Sequence, residues 1–260
     1  MQLSHRAALG GTQLDAVDSL IMVKGVSTLA PKEREITAQT GGSGLRFVEK
    51  TRDSLEVQVR IGLRLFDDDM DDREELLEKV NAWASALPAW FTTTQKPDRR
   101  LYVESVQLPA AGDPYEWTNE YTYTFTAYED PYWQNDTATT KALTQGNTGS
   151  DSITVPGSAE SFADVTVQNK SGDTLNGITI SINGNEMTFA DLGLANNGTL
   201  TIDHVIANGV MVLRAKIGNT SVLANRTGAD DFITKPGNNA ISYSADGSAI
   251  VTVSVKGRYL

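Results

Sequence analysis

Apolar and polar residues alternate along residues 53–66, which read DSLEVQVRIGLRLF. One face of an extended chain carries only apolar side chains here: Leu55, Val57, Val59, Ile61, Leu63 and Leu65. The other face includes Glu56, Gln58, Arg60 and Arg64. Because successive side chains of a strand point to opposite faces, the pattern predicts a long half-buried β-strand. Further strands are predicted at residues 101–106 and 121–128, and shorter ones at residues 19–26 and around Ile36.

A helical spacing follows this strand. Leu76, Val80, Trp83 and Leu87 succeed one another at steps of four, three and four, which is the apolar stripe of an amphipathic helix. Asp72 and Glu75 form a capping pattern, and Pro88 cannot continue a helix. We therefore predict one helix over residues 72–87.

Two stretches lack a periodic apolar pattern. Residues 37–46 are polar and glycine-rich, which favours a long loop that could reach a neighbouring subunit. Residues 134–150 contain few large apolar residues and are rich in Thr, Asn and Gln, a composition typical of linkers. These breaks predict a first domain at residues 1–135, a linker at 136–150 and a second domain at 151–260.

Short β-branched runs separated by turn dipeptides fill the second domain. The dipeptides include Asn183-Gly184, Asn208-Gly209, Gly218-Asn219 and Asp246-Gly247, which supply the positive φ that tight hairpins need. Short strands at regular turn spacing indicate an antiparallel β-sandwich or jelly roll. The predicted fold class is therefore mainly β, with an α+β, split-barrel-like first domain that has a single helix.

Composition and charge limit the possible functions. The chain has no cysteine and only two histidines, His5 and His204, which disfavours disulfide frameworks and most metal sites. Its formal charge is −11, and residues 1–135 hold 22 acidic against 14 basic side chains. Because phosphate binding depends on Lys and Arg, this surface argues against a nucleic-acid-binding protein. The sequence shows neither a signal peptide nor a membrane-spanning apolar stretch, so we expect a soluble protein made in the cytoplasm.

Catalytic motifs are absent from the sequence. There is no P-loop, no G-x-S-x-G and no H-E-x-x-H, so we predict no enzyme and no cofactor. Asp67, Asp69, Asp71 and Glu78 match four positions of a calcium loop. The glycine of such a loop is replaced by Asp72, and a strand precedes it where a helix is required. We therefore interpret these acids as a solvated helix N-terminus and predict no metal site.

Aromatic residues are concentrated in the first domain. The strand YTYTFTAY runs into a turn formed by Asp130, Pro131, Tyr132 and Trp133, in which proline fixes φ and removes a backbone donor. A one-helix domain has limited interior, so Trp90, Phe91 and Trp117 are candidates for subunit contacts. The second domain has only five aromatic side chains, and some of them must build its core. We therefore expect no sugar-binding platform there, and Tyr243 and Tyr259 are the best candidates if one exists.

The first domain resembles the distal tail protein (Dit) family of long-tailed bacteriophages. The resemblance is carried by the strand at 55–66, the helix with Trp83, the strands at 101–106 and 121–128, and the Asp130–Trp133 turn. The resemblance implies a homo-hexameric ring, formed by the first domain, that joins the tail tube to the tip or baseplate and lets DNA pass. It also implies a galectin-like second domain. The implied location is the virion tail, after assembly in the host cytoplasm. The implied partners are the tail tube, a tail-associated lysin or tip protein, and a receptor-binding protein. The alternative function is a glycan-binding adhesion module.

Overall fold

The computed structural model describes residues 5–40, 44–64, 70–109, 120–207 and 210–260, with side chains left undescribed at residues 33–52, 70–71 and 210. The chain divides into two compact units, Met1–Trp133 and Gln134–Leu260, called here the first and second unit. Among the described residues, no helix is both long and apolar enough to cross a bilayer. The described structure is mainly β, as predicted from the sequence.

The first unit contains one α-helix among short and long strands. In chain order the elements are β1 (Ala7–Leu9), β2 (Thr12–Gln13), β3 (Ile21–Thr28), β4 (Lys32–Thr40), β5 (Gly44–Leu63), α1 (Met70–Ala84), β6 (Ala89–Thr93), β7 (Lys96–Val103), β8 (Ser105–Gln107), β9 (Glu120–Ala127) and β10 (Trp133–Asn135), the last of which begins at the boundary. One antiparallel sheet has the order β2-β1-β6-β7. A second has the order β3-β5-β9-β8, with β4 added to the outer part of β5.

The alternating strand predicted at residues 53–66 forms the centre of the second of these sheets. Its apolar face, from Leu55 to Leu63, is buried, and Leu65 lies outside the described residues. Tyr123 and Phe125 of β9 are the register partners of Val59 and Val57, and Trp83 of α1 packs edge-on against Phe125. These side chains are buried, as are Leu76 and Val80 of α1. Burying these side chains gives the main stabilisation of the unit, because apolar area removed from water contributes roughly 25 cal/mol per Å².

The predicted helix is present but begins and ends earlier than expected. It covers Met70–Ala84, so Asp72 lies inside the first turn and is not the residue before the helix. Acidic side chains in a first turn still interact favourably with the helix dipole. The chain then passes through a cis Leu87-Pro88 bond into β6.

The loop predicted at residues 37–46 was wrong. Residues 37–40 belong to β4 and residues 44–46 to β5, and the two strands pair from Lys32↔Ser54 to Thr40↔Gly44. Strand β9 pairs with β5 only from Leu55 onward, and β3 pairs only from Val57 onward. The outer part of this hairpin is therefore a two-stranded ribbon without a third described strand.

The second unit is built of antiparallel strands, with one short 3₁₀ helix at Leu223–Asn225. They are β11 (Thr139–Ala142), β12 (Gly146–Val155), β13 (Ser161–Asn169), β14 (Ile178–Ile182), β15 (Asn185–Phe189), β16 (Thr199–Ala207), β17 (Val210–Ile217), β18 (Thr220–Ser221), β19 (Arg226–Gly228), β20 (Ile233–Thr234), β21 (Gly237–Val255) and β22 (Arg258–Tyr259). Strand β21 pairs with β14 along its first part and with β13 along its second part, and β11 and β12 also pair with it.

The predicted linker at residues 136–150 was also wrong. Residues 139–142 form β11 and residues 146–150 form the first half of β12, and both strands pair with β21 of the second unit. Threonine-rich sequence suits a half-exposed strand, because β-branched side chains favour the extended backbone. The core of this unit contains Phe189, Phe232 and Val253, together with many smaller apolar side chains.

Candidate assembly surface

The turn at Asp130–Trp133 is a closed, buried element. Asp130, Pro131 and Trp133 are buried, and Tyr132 is half-buried. The Tyr132 amide donates to the Asp130 carbonyl over 2.7 Å, which closes a γ-turn with proline at its centre. Proline suits that central position because its ring fixes φ near the value this turn requires.

Glu104 holds the start of this turn. Its two carboxylate oxygens accept hydrogen bonds from the amides of Tyr128, at 2.6 Å, and Glu129, at 3.1 Å. The Glu104 amide in turn donates to the Thr126 carbonyl over 2.9 Å. These bonds fix the backbone at the end of β9 and so restrict the path of the chain into the Asp130–Trp133 turn.

Trp133 anchors the end of the turn in the core. Its ring lies 6.2 Å from that of Phe91 at an interplanar angle of 62°, and the Lys96 ammonium lies 4.6 Å above it. Burial, with a smaller effect of the neighbouring Arg99 charge, lowers the pKa of Lys96. The indole Nε1 of Trp133 has no hydrogen-bond partner among the described residues. Trp133 is therefore a core packing residue, and its fully buried side chain cannot contact another protein.

Helix α1 is fixed to β9 by both aromatic and polar contacts. Trp83 packs edge-on against Phe125 with ring centroids 5.7 Å apart, and its Nε1 donates to the Thr12 carbonyl over 3.0 Å. The Tyr123 hydroxyl donates to Asn81 Oδ1 over 2.8 Å. Burial raises the pKa of the Tyr123 phenol well above its ordinary value. The helix is thus held in a single orientation, and its opposite side faces away from the core.

The three predicted contact residues have different positions. Phe91 was predicted wrongly, because its side chain is fully buried and packs 5.6 Å from Phe125 in the core. Trp117 lies outside the described residues. Trp90 is half-buried on the opposite face of β6 from Phe91, so it stays a candidate for a subunit contact.

Trp90 belongs to a cluster that we call the β7 patch, formed by Trp90, Arg100 and Tyr102. Tyr102 is the register partner of Trp90, and their rings meet edge to face at 5.2 Å. Arg100 comes from the diagonal position, and its guanidinium carbon lies 3.9 Å from the Trp90 ring centroid. All three side chains are half-buried. The patch therefore presents a stacked, cationic and aromatic surface, the composition enriched at protein interfaces.

The outward side of α1 carries the opposite charge. Glu74 and Glu78 are exposed and lie one helical turn apart, and we call them the α1 ridge. Glu75 differs from them, because it pairs with Lys79 at 2.8 Å, and Lys79 also reaches Asp18 at 3.0 Å. The Leu20 amide, followed by Lys79, holds the pKa of Asp18 below its ordinary value.

The aromatic side chains of the second unit do not form a sugar platform. Phe189 and Phe232 are buried, and Tyr243 is buried with its hydroxyl within 2.9 Å of the carbonyls of Thr144, Gly146 and Ala249. Tyr259 is half-buried, and its hydroxyl donates to Asn135 over 3.1 Å. Phe162 lies between the Arg258 guanidinium and the His204 ring.

His204 lies between two carboxylates of the second unit. Its Nδ1 lies 3.4 Å from Asp164 and its Nε2 lies 3.2 Å from Asp231, and its ring stacks on Phe162. Each carboxylate uses a different ring nitrogen, so the cluster does not present one shared metal position. Within the described ranges, no group of three His, Asp or Glu side chains could hold a metal ion.

The sequence pointed to Trp90 but did not identify Arg100, Tyr102 or Glu104 as functional or structural residues. The signal for the patch was the alternation of residues 99–103, RRLYV, which puts Arg100 and Tyr102 on one face. That Trp90 of β6 lies beside these two side chains is known only from the register in which β6 and β7 pair. Glu104 carried no sequence signal, since a single acid between two strands is common in exposed loops.

Comparisons with known proteins agree with this architecture. No protein-family model and no curated protein matches the chain. Among solved structures, the SPP1 Dit (gp 19.1) protein, a paradigm of the hub adsorption apparatus in phages infecting Gram-positive hosts, matches with a TM-score of 0.69. The two chains are 14% identical, and the match covers 99% of this chain and 100% of that one. A phage P2 baseplate structure in its activated conformation with Ca matches at a TM-score of 0.47 and 11% identity over 98% of each chain, which is too weak to carry an argument. The Dit-like fold expected from the residues is therefore confirmed.

Proposed function

We propose that this chain, which has the fold of a phage distal tail protein, is a structural component of a phage tail tip. The observation that carries the proposal is the match to SPP1 Dit over the full length of both chains. The first unit of six copies forms a ring that joins the tail tube to the tip or baseplate. The protein works in the virion tail as a scaffold and not as an enzyme, and it is assembled in the host cytoplasm.

The ring requires partners above and below it. We assign these roles to the tail tube on one side and to a tail-associated lysin or tip protein and a receptor-binding protein on the other. The β4–β5 ribbon supports such contacts, because a two-stranded ribbon is only marginally stable in water without a further layer. Trp90 supports contacts between copies within the ring, since it keeps a half-buried aromatic surface outside the core.

The charge of the chain supports the passage of DNA through the ring. Each copy has a formal charge of −11. A ring of such copies repels phosphate groups, so DNA moves through the bore without being held.

The glycan-binding alternative has less support. Sugar rings are usually held on exposed aromatic faces. Every aromatic side chain in the described second unit is buried or half-buried, and Tyr243 and Tyr259 use their hydroxyls within the unit. We therefore assign the second unit a structural role at the outside of the ring.

Light scattering of the purified full-length chain, followed by negative-stain imaging, tests the proposal. We expect a species of six times the 28.1 kDa chain mass and ring-shaped particles. A strict monomer at all concentrations, with no assembly on purified tail tubes, would contradict it.

A further inference from the structure

We propose that a polar hollow in the β3-β5-β9 sheet of one copy receives the carboxylates of the α1 ridge of the next copy. This inference rests on the proposed ring and names the contact between its subunits. The hollow, called here the β5 hollow, has a volume of about 440 Å³ and opens on the solvent side of the sheet. Its lining consists of Gly25, Val26, Ser27, Gln58, Arg60 and Thr122.

The strand register leaves open space beside Arg60. On β5 this arginine lies between Gly25 of β3 and Thr122 of β9, its two register partners. A Cβ atom at Gly25 would have no neighbour within 4 Å apart from the adjoining residues. The register of β3 also shifts just before Gly25, and such a bulge re-aims the side chains around it. The guanidinium therefore borders an open space and not another long side chain.

Arg60 has no counter-ion within the described part of the chain. Its side chain is exposed, and it forms neither an ion pair nor a hydrogen bond there. Lys24 on the neighbouring strand is already paired with Glu120 at 3.6 Å. An unpaired arginine is unexpected in this unit, because acidic side chains outnumber basic ones by 22 to 14 over residues 1–135. Arg60 is thus available to an acidic group of another molecule.

Neutral hydrogen-bond donors accompany the guanidinium in the hollow. Gln58 lies two residues before Arg60 on the same face of β5, and Ser27 and Thr122 lie on the two flanking strands. Among the described residues, none of these three neutral side chains has a hydrogen-bond partner. An arginine fork and an amide both donate to carboxylates. One positive charge with neutral donors suits side-chain carboxylates, whereas the acidic unit opposes a polyanion such as DNA.

The α1 ridge offers carboxylates that lack a cation. Glu74 and Glu78 are exposed, and across the described ranges neither forms a hydrogen bond or an ion pair. Lys79 on the same helix is already engaged by Glu75 and Asp18. Two like charges one helical turn apart destabilise a helix. A cation supplied by a neighbouring copy would remove this repulsion.

The spacing of the two carboxylates matches that of the two strongest donors. Glu74 and Glu78 are four residues apart, which is about 6 Å along a helix that rises 1.5 Å per residue. Gln58 and Arg60 are two residues apart on a strand, which is about 7 Å. One carboxylate can therefore bind Arg60 while the other accepts from Gln58.

The hollow and the ridge lie on opposite sides of the first unit. Helix α1 packs on the face of the sheet that carries Tyr123 and Phe125. Thr122 precedes Tyr123 in the strand, so it and its register partner Arg60 lie on the other face. Contact between two different surfaces of one unit is heterologous, repeats from copy to copy, and closes into a ring when the rotation permits it.

Charge reversal at the two surfaces tests the inference in the full-length chain. The variants are Arg60→Glu, the pair Glu74→Arg with Glu78→Arg, and the combination of all three substitutions. Matched controls are Lys235→Glu and Glu160→Arg, which reverse exposed charges in the second unit. Mass photometry and light scattering measure the concentration at which half of the chains are assembled, and circular dichroism monitors folding. Fluorescence anisotropy of a short labelled DNA duplex is measured with each variant.

We expect each one-sided reversal to raise the half-assembly concentration by about tenfold or more, because like charges then face each other. The combined variant should return this concentration most of the way to the unsubstituted value, and the two controls should leave it unchanged. Arg60→Gln, which removes the charge without reversing it, should have a smaller effect than Arg60→Glu. DNA anisotropy should be the same for Arg60→Glu and the unsubstituted chain.

The outcomes separate this inference from the ring itself. Rings that assemble normally with reversed charges overturn the contact and leave the proposed function standing. Weaker assembly of the one-sided variants without recovery in the combined variant also overturns the pairing. Weaker DNA binding by Arg60→Glu with unchanged assembly assigns the hollow to DNA and overturns the inference. An unsubstituted chain that never assembles, alone or on tail tubes, contradicts the proposed function and the contact together.

Discussion

The hydroxyl of Tyr123 on β9 donates a hydrogen bond to Oδ1 of Asn81 on α1, with 2.8 Å between the oxygens. It joins the only α-helix in the described first unit to the sheet that contains β5 and β9, beside the packed rings of Trp83 and Phe125. Since Tyr123 is fully buried, this polar contact lies inside the core.

Replacement of Tyr123 by phenylalanine should destabilise the first unit by about 1 kcal/mol, the net value of one buried hydrogen bond. Urea unfolding followed by tryptophan fluorescence measures this, because all four tryptophans lie in residues 1–133. Tyr128→Phe is the control, since Tyr128 is 55% exposed. Equal stability of the Tyr123→Phe variant and the natural chain would contradict the role of the bond.

The same tyrosine predicts an alkaline limit to stability. Burial raises the pKa of Tyr123 above its ordinary value of 10.0. A raised folded-state pKa gives stabilisation that is complete below the unfolded pKa and is lost as the pH rises through the folded pKa. Urea unfolding between about pH 8 and about pH 11 should therefore show a loss of stability that is smaller in Tyr123→Phe. Identical slopes for the two proteins would argue against the assignment to Tyr123.

Trp133 and Trp90 should respond differently to alanine. Trp133→Ala removes a fully buried indole and should cost about 3–5 kcal/mol of unfolding free energy, including the cavity it leaves. Trp90→Ala removes a half-buried ring, so thermal stability should change much less while assembly weakens. Thermal melts and light scattering of both variants distinguish the two roles. A Trp90→Ala variant that still assembles into hexameric rings would show that Trp90 makes no important subunit contact.

Glu104→Ala leaves the amides of Tyr128 and Glu129 without their carboxylate acceptor. The expected cost is about 1–3 kcal/mol, since hydrogen bonds to a charged group are the stronger ones. Glu104→Gln keeps one acceptor oxygen and should lose only part of this stability. Glu160→Ala is the matched control, because Glu160 is exposed. Chemical unfolding measures all three, and equal stability of Glu104→Ala and its control would contradict the capping role.

Local pattern was enough to predict the strand at 53–66 and the helix after it, because both bury one continuous apolar face. Leu55, Val57, Val59, Ile61 and Leu63 are buried as expected. The segments at 37–46 and 136–150 have no such face, and their pairing partners are distant in sequence or lie across a hairpin. Strand formation there depends on tertiary pairing, which local composition does not contain.

The candidate surface shows the same limit at the scale of one residue. Trp90 and Phe91 are adjacent aromatic residues on β6, so one must face the core and the other must face away. Both were predicted as contact residues, since the sequence alone does not give the face. The register with Leu101 and Tyr102 decides it, placing Phe91 opposite a buried leucine and Trp90 opposite a half-buried tyrosine.

Strand β21 sets the order in which the two units can form during synthesis. Strands β11 to β14 are made first but use residues 237–255 as their common neighbour. The first unit has all its residues much earlier, at Trp133. Because strand pairing over such sequence distances is slow, we expect ribosome-bound chains to hold a folded first unit while the second is still open to proteases and chaperones.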